Sequence, residues 1–384
     1  MSRAPIRIRA LATNPETGAS TRFRVLQWRQ LLAADGCELS LDAFFTSDGE
    51  RTLHAPGRRL AKAAFLAAGT ARRLRSLWTA PAAADLLFIH REAFPLGQRW
   101  PLALLRRFRG PIIYDYDDAM FLPQRQGRGL LARLEDVNAP QQLMRLSDVV
   151  LAGNEYLAEY ARRYARRVVV LPTCVDTRVF APRPGRLPAG PPVLGWIGSH
   201  STAKYLRGLQ RALEAVARRV PFRLYVVGAS EPVTVDGAEV IQRPWRLERE
   251  VEDFASCDVG LYPLWDDAWA RGKCGFKAIE FMACGVPVVA SAVGANREII
   301  HDGADGFLVA DEAAWVERLT ALLSDRHLRE RFGQLGREAI DARYSVQAQG
   351  PRLVAVLRSL FASRPEPEAA AQAGEPAAVS AGGG

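Results

Sequence analysis

The sequence predicts an α/β protein made of two tandem, Rossmann-like, doubly wound domains that face a central cleft. Three observations carry this. The 384 residues exceed one ordinary core and suit two domains. Short, almost continuously apolar runs alternate with apolar patterns at helical spacing, as in parallel sheets covered on both faces. A Pro/Gly-rich break, APRPGRLPAGPP at residues 181–192, separates one alternating series from a second.

In the first series, strands are expected at residues 7–12, 38–44, 85–90, 111–116, 148–151 and 168–171. The opening alternates Ile6 and Ile8 with Arg7 and Arg9, as a half-buried strand does, and lacks the apolar centre of a signal peptide. Helical spacing appears at 23–34 and 96–108. In the second series, strands are expected at 193–197, 222–227, 239–242, 258–262, 286–290 and 306–309. Helices are expected at 203–218, 248–255, 276–283 and 312–323. Further helices follow at 325–342 and 346–362. The Pro/Ala/Gly/Glu-rich tail, 363–384, has the composition of a disordered segment.

Composition narrows the function class. Hydrophobic residues make up 48% and charged residues 24%, the balance of a water-soluble globular chain, and no apolar run is long enough to span a bilayer. The five cysteines, Cys37, Cys174, Cys257, Cys274 and Cys284, form no CxxC pair. A disulfide framework or zinc site is therefore not expected, and a reducing, cytoplasmic setting is. The net charge of +9 is uneven. Residues 51–110 hold twelve basic residues against Asp85 and Glu92, a local excess of ten. Such a field suits an anionic partner.

Residues 271–309, RGKCGFKAIEFMACGVPVVASAVGANREIIHDGADGFLV, carry the strongest site pattern. They read as loop, helix, buried strand, glycine-containing loop, short helix, Asp-Gly turn and strand. A helix that starts from a glycine-bearing loop offers unpaired amides and a positive dipole end to phosphate. Glu280, one turn in, is placed to accept from a sugar hydroxyl. In the first half, IIYDYDDAMFLP ends a buried strand with Asp115, Asp117 and Asp118. Clustered carboxylates at a strand's C-terminal end lie where such sheets bind ligands, and mutual repulsion raises the pKa of one, suiting it to act as a base. His90, closing the preceding strand, is the other base candidate.

The order and spacing of these motifs resemble the retaining, GT-B-fold glycosyltransferases of family 4, of the group 1 type. The resemblance runs from VLGWIG at Val193 through DVGLYP at Asp258 to residues 271–309 and the helices after them. In the first half it includes RFRVLQWRQLLAADG from Arg22 and the strand-helix-strand of residues 149–176. It implies an acceptor domain at 1–180, a linker at 181–192, a nucleotide-sugar donor domain at 193–345 and a helix at 346–362 that returns to the first domain. It implies sugar transfer from a nucleotide-diphospho-sugar to a glycan or lipid-linked acceptor, in cell-envelope polysaccharide synthesis, with retention of configuration and without a metal or cofactor.

Residue by residue, the resemblance places Glu280 on the ribose and the amides of Gly275 and Phe276 at the diphosphate and sugar. Lys273 and Lys277 add cations there. The family's first glutamate, eight positions before the second, falls on Gly272. After the first strand of the second domain, Ser199 stands where the family has arginine, and Lys204 supplies a phosphate partner. Ser199, Ser201 and Thr202 can cap the next helix. The loop NPETGASTRFR resembles the family's glycine-bearing active-site loop. Gly18 permits close approach there, and Arg22 or Arg24 holds an anionic group of the acceptor. The catalytic candidates are Asp117, Asp115 and His90.

Two other readings of the same residues are a non-catalytic sugar-nucleotide-binding protein and a sugar-nucleotide epimerase. Residues 58–80 read as a basic amphipathic helix with an apolar stripe of Leu60, Ala64, Ala67, Ala71, Leu74 and Trp78. One reading packs that stripe on the sheet. The other lays it on the inner, anionic face of a membrane, making the protein peripheral. Nucleic acid is not an expected partner, because aromatic residues are scarce among the basic ones.

Overall fold

A computed structural model of the chain describes residues 4–46, 59–95, 100–123, 136–182 and 190–362. The expected tail, the middle of the linker and Arg58 lie outside the described residues. The first sheet contains β1 (Ile6–Ala12), β2 (Cys37–Ala43), β3 (Leu86–His90), β4 (Ile112–Tyr116), β5 (Val149–Ala152) and β6 (Val168–Val170). All are parallel, in the order β2-β1-β3-β4-β5-β6. The second contains β7 (Val193–Ile197), β8 (Arg223–Val227), β9 (Glu239–Arg243), β10 (Val259–Tyr262), β11 (Val288–Ser291) and β12 (Gly306–Val309). It is also parallel, in the order β12-β11-β10-β7-β8-β9, which is the Rossmann order.

Both sheets are covered on both faces. Leu87 and Ile89 of β3 enter one core with Leu11, Ile112 and Tyr114. Their neighbours Leu86 and Phe88 enter the opposite core with Ile8 and Ile113. In the second sheet Tyr225 and Val227 of β8 face one core, Leu224 and Val226 the other. This double burial is why the strands read as continuous apolar runs. An aspartate repeatedly sets the strand starts. The carboxylate of Asp85 accepts from the Arg7 amide, Asp148 from Ile112 and Asp258 from Val193, at 2.8, 2.7 and 2.7 Å. Each satisfies an amide that has no ladder partner at the sheet rim.

Two expected helices are interrupted, and a third is 3-10 where it is described. The 23–34 pattern becomes helix Ala19–Arg24, a 3-10 turn Leu26–Trp28 and helix Arg29–Ala34. Its side chains serve two cores: Phe23 packs into the second domain, while Val25 and Trp28 pack into the first. The 203–218 pattern splits into Ala203–Arg207 and Gln210–Ala217 around Gly208, a poor helix former that Trp265 approaches closely. Within 96–108, the described part is a 3-10 run, Trp100–Arg107. The final helix, Val346–Ala362, packs Leu353, Val356 and Leu357 against Ile8, Trp28 and Phe88 of the first domain.

In the basic helix, Arg59–Ala83, the expected stripe does not pack on the sheet. Its buried positions are Gly69, Arg73, Leu77 and Ala80, with Leu66 and Leu74 half-buried. Ala64, Ala67 and Ala71 face solvent, with Leu60 at 87% and Trp78 at 60% exposure. Arg73 takes the buried place because three carbonyls converge on it, those of Ala93, Ala12 and Asp42.

Candidate active site

Strand order reverses between β1 and β3 in the first sheet and between β7 and β10 in the second, and the C-terminal ends at both points open on one cleft of about 510 Å³. Thr17, Gly18, Arg91, Asp117 and Asp118 line it from the first domain. Ser199, Glu250, Tyr262, Lys273, Phe276 and Lys277 line it from the second. Ligands of open α/β sheets bind at such reversal points.

The floor on the second-domain side is the helix Phe276–Ala283. Gly275 precedes it at φ +65°, a left-handed conformation that glycine adopts without strain. A Cβ there would lie 2.1 Å from Ile299 Cδ1. Lys277 Nζ donates to Glu280 Oε2 at 2.8 Å. Glu280 is fully buried, and its Oε1 has no protein partner. Burial pushes the Glu280 carboxyl up to about 7; Lys277 opposes the rise, and Glu250 adds to it. A buried carboxylate oxygen with an unused lone pair is expensive unless a ligand hydroxyl meets it.

On the first-domain side, Arg91 follows β3 at φ +60°, the one described non-glycine residue with positive φ. Three contacts hold it there. Its amide donates to the Asp115 carbonyl at 2.8 Å, Nε to Asp117 at 2.6 Å, and an Nη to Asp118 at 2.6 Å. Lys273 Nζ lies 4.0 Å from Asp118. Burial would raise the Asp117 carboxyl, but Arg91, then His90, outweigh it and hold it well below the usual carboxylate range. For Asp117 this corrects the expectation of a raised pKa: Arg91 lies between it and Asp118, and Arg24 pairs with Asp115.

Asp115 and Arg24 are corrected too. Both are buried, and the Arg24 guanidinium meets both Asp115 oxygens and the Leu171 carbonyl. Neither reaches the cleft, so Asp115 is not a surface base and Arg24 does not hold an acceptor anion. His90, also buried, puts Nδ1 2.7 Å from Asp115 Oδ2 and Nε2 4.0 Å from Asp117 Oδ1. Arg22 crosses between the domains and pairs with both oxygens of Glu250, at 2.7 and 2.8 Å. Gly18 caps the helix Ala19–Arg24 and lines the cleft.

Ser199 is at the cleft, with Oγ 2.8 Å from Ser201 Oγ, and Thr202 Oγ1 accepts from the Ser199 amide. Lys204 is not brought to the cleft wall. Its ammonium rests over the rings of Tyr205 and Trp265, at 5.0 and 5.2 Å, a cation-π arrangement.

The domains meet directly at the cleft's edge. Phe23 packs on Phe276 with ring centroids 4.5 Å apart. Asn154 Nδ2 donates to the carbonyls of Gly272 and Lys273, and the Cys274 thiol donates to the Asp117 carbonyl. Gly272, which the resemblance sets against the family's first glutamate, is buried against the first domain. A Cβ there would lie 2.7 Å from Ala119 Cβ. The departure is therefore structural: a glutamate at 272 has no room in this apposition.

Residues 191–325 match the family model for Glycosyl transferases group 1. The second domain belongs to this family. Similar curated proteins include the D-inositol 3-phosphate glycosyltransferases of Stackebrandtia nassauensis and Xylanimonas cellulosilytica. The first is 30% identical over 225 residues, 50% of this chain and 50% of the relative. The second is 29% identical over 252 residues, 57% of each. The chain thus spans only about half the length of the curated relatives it matches. Among solved structures, the sucrose-phosphate synthase of Thermosynechococcus elongatus matches with a TM-score of 0.68 at 19% identity, over 94% of this chain and 100% of that one. Anabaena HepE in complex with UDP-glucose matches at 0.65 and 16% identity, over 92% and 100%. These likenesses establish the two-domain GT-B fold.

The group 1 domain and its partner domain also use residues that sequence spacing did not single out. Arg91 and Glu250 organise the cleft's charges, and Tyr262 and Trp245 line its second-domain wall. The signal for Arg91 was its place directly after a buried strand at a reversal point. Glu250 carried none, because its partner Arg22 is 228 residues away.

Proposed function

We propose that this protein transfers a sugar from a nucleotide-diphospho-sugar to a glycan or lipid-linked acceptor, in cell-envelope polysaccharide synthesis, with retention of anomeric configuration. The observation that carries this reading is Glu280: a buried carboxylate with one unpartnered oxygen, one turn into a helix whose start faces the cleft beside Lys277 and Lys273. The oxygen suits a ribose hydroxyl. The helix start and the two ammonium groups suit the diphosphate, whose leaving charge they would stabilise without a metal or cofactor. Anabaena HepE, alike in fold, holds UDP-glucose and UDP. The acceptor enters from the first-domain wall, at Gly18 and Asp117.

Calorimetric titration with UDP, GDP and ADP tests the donor half of this reading, and absence of binding by all three overturns it. Proton NMR of products formed from bound donor and an acceptor-containing membrane extract tests the rest. Transferred sugar of the donor's anomeric configuration is expected. Epimerised free donor, or binding without turnover, overturns it.

We further propose that the protein docks peripherally on an anionic membrane through the helix Arg59–Ala83. Support comes from its outer face, where Leu60, Ala64, Ala67, Ala71 and Trp78 lie exposed among Arg72 and Arg75, and Arg107 stacks on Trp78 at 3.8 Å. An apolar stripe flanked by arginines suits an anionic bilayer interface. The described helices include none long and apolar enough to cross a membrane. Flotation with phosphatidylserine vesicles is expected, weakening with salt and lost in Leu60→Ala/Trp78→Ala. Equal flotation with purely zwitterionic vesicles overturns the electrostatic part, and no flotation overturns the whole.

A further inference from the structure

Among the described residues three indoles are exposed, those of Trp78, Trp245 and Trp265. Two are covered by a cation: Arg107 lies over Trp78 at 3.8 Å and Lys204 over Trp265 at 5.2 Å. Trp245, 37% exposed, has neither a ring nor a cation stacked on it among the described residues. Of the three, it alone lines the cleft. An uncovered indole face is apolar and flat, and the ligand that complements it best is another flat aromatic ring.

The fold seats this indole beside the donor site. Trp245 lies on the connection from β9 to the helix Glu250–Ala255. Gly228, which follows β8 at φ +86°, donates to the Arg243 carbonyl at 3.0 Å. A Cβ on Gly228 would lie 2.1 Å from the Gly198 carbonyl oxygen and 3.6 Å from Trp245 Cβ. The ends of β7, β8 and β9 therefore close up where Trp245 begins. The helix Glu250–Ala255 packs on the helix Phe276–Ala283 through Phe254 and Phe281, with ring centroids 4.8 Å apart. Glu250 and Trp245 thus form one wall of the cleft on that side of Glu280. A nucleoside diphosphate carries its phosphates at C5′ and its base at C1′, at opposite ends of the ribose. With the phosphates at Phe276 and Lys277 and the ribose at Glu280, the base is directed away from the helix start, toward this wall.

We infer that Trp245 is the base-stacking residue of the cleft, its indole taking the nucleobase of a nucleoside diphosphate face to face. This rests on the donor reading above and adds to it the residue that meets the aromatic ring. Stacking accepts any flat base, so Trp245 supplies affinity more than selectivity between bases.

Calorimetric titration of the wild type, Trp245→Ala and Trp245→Phe with the tightest binder among UDP, GDP and ADP tests it. Because the indole is exposed, both variants are expected to melt with the wild type. Trp245→Ala is expected to weaken nucleotide binding by about fivefold to a hundredfold, the range of one base–aromatic stack. Trp245→Phe keeps an aromatic face and is expected to stay within about threefold of the wild type. It is also expected to lose the quenching of tryptophan fluorescence that the nucleotide causes in the wild type. Inorganic pyrophosphate, which has no base, is expected to compete equally well in all three proteins. Equal nucleotide affinity in wild type and Trp245→Ala overturns the stacking assignment and leaves the donor reading standing. A loss of pyrophosphate as large as the loss of nucleotide overturns it too, because the change then acts on the whole cleft. A wild type that binds none of the three nucleotides overturns the donor reading, and the stacking assignment with it.

Discussion

Lys277 donates to one oxygen of Glu280 at 2.8 Å, and the other oxygen of that fully buried carboxylate has no protein partner. The pair holds the carboxylate in place while leaving half of it for a ligand. Glu280→Gln is expected to weaken nucleotide-diphosphate binding by roughly tenfold to a hundredfold, the range of a hydrogen bond to a charged group of about 1.5–3 kcal/mol. Isothermal titration measures it. Because the carboxyl is pushed up to about 7, donor affinity is expected to rise as pH increases through 7, where the accepting form is populated. Stability of the ligand-free protein runs the other way. A carboxyl raised in the folded state binds more protons there than in the unfolded chain, so its contribution is full at low pH and is lost as pH rises through about 7. Thermal unfolding across that window, compared with Glu280→Gln, separates the two effects.

Arg22 and Glu250 tie the first domain to the second through two hydrogen bonds, with Glu250 buried. Arg22→Ala leaves that carboxylate without its cation, a loss of about 3 kcal/mol for a buried pair. Arg22→Ala/Glu250→Gln is expected to cost less than the sum of the single changes, because neither charge is then stranded. A denaturant-unfolding double-mutant cycle gives the coupling, and additivity would exclude the contact in solution.

Gly275 and Gly303 both have positive φ, +65° and +77°, but only Gly275 is enclosed. Gly303→Ala is expected to cost about 1–2 kcal/mol, the left-handed penalty alone. Gly275→Ala adds the collision with Ile299, about 1–3 kcal/mol more. It also displaces the helix start, so it alone is expected to abolish nucleotide binding. Melting temperatures and titrations of the two variants make the comparison.

Gly272→Glu would put a glutamate where the resemblance expects one, yet the structure predicts no gain. The new Cβ meets Ala119 Cβ at 2.7 Å and Ala119 N at 3.1 Å. The variant is expected to lose stability and to hold the domains apart, with a larger radius of gyration in small-angle scattering. Ala119→Gly in the same chain removes only the side-chain collision and is expected to recover part of the loss.

The fold was legible because its strands are buried on two faces. Leu86–His90 and Ile112–Tyr116 have no exposed position, so each reads as a largely apolar run. The helix from Phe276, with Gly275 before it and Glu280 inside it, was legible because helix-start signals are local in sequence. For the outer helix, spacing left two readings open, and the structure overturns the one that packs the stripe on the sheet. In Arg59–Ala83, alanines occupy several faces, so spacing cannot say which one packs, and the convergence of three distant carbonyls on Arg73 decided it. The acids were misread for the same reason. Asp115 and Asp117 look alike in IIYDYDD, but their cations, Arg24 and Arg91, come from other elements.

By itself, then, the sequence determined two parallel α/β domains and a helix that starts from a glycine loop, since periodicity and helix-start signals are properties of neighbouring residues. Only the tertiary structure decided which charges face the cleft. Arg22 went to Glu250 and Arg24 to Asp115, while the exposed Lys204 lies over a pair of aromatic rings, leaving Lys273, Lys277, Arg91, Asp117, Asp118 and Glu250 at the cleft wall. The physical reason is that a buried charge must find an opposite charge or a ring of acceptors, and those partners are fixed by strand order across the sheets, not by distance along the chain.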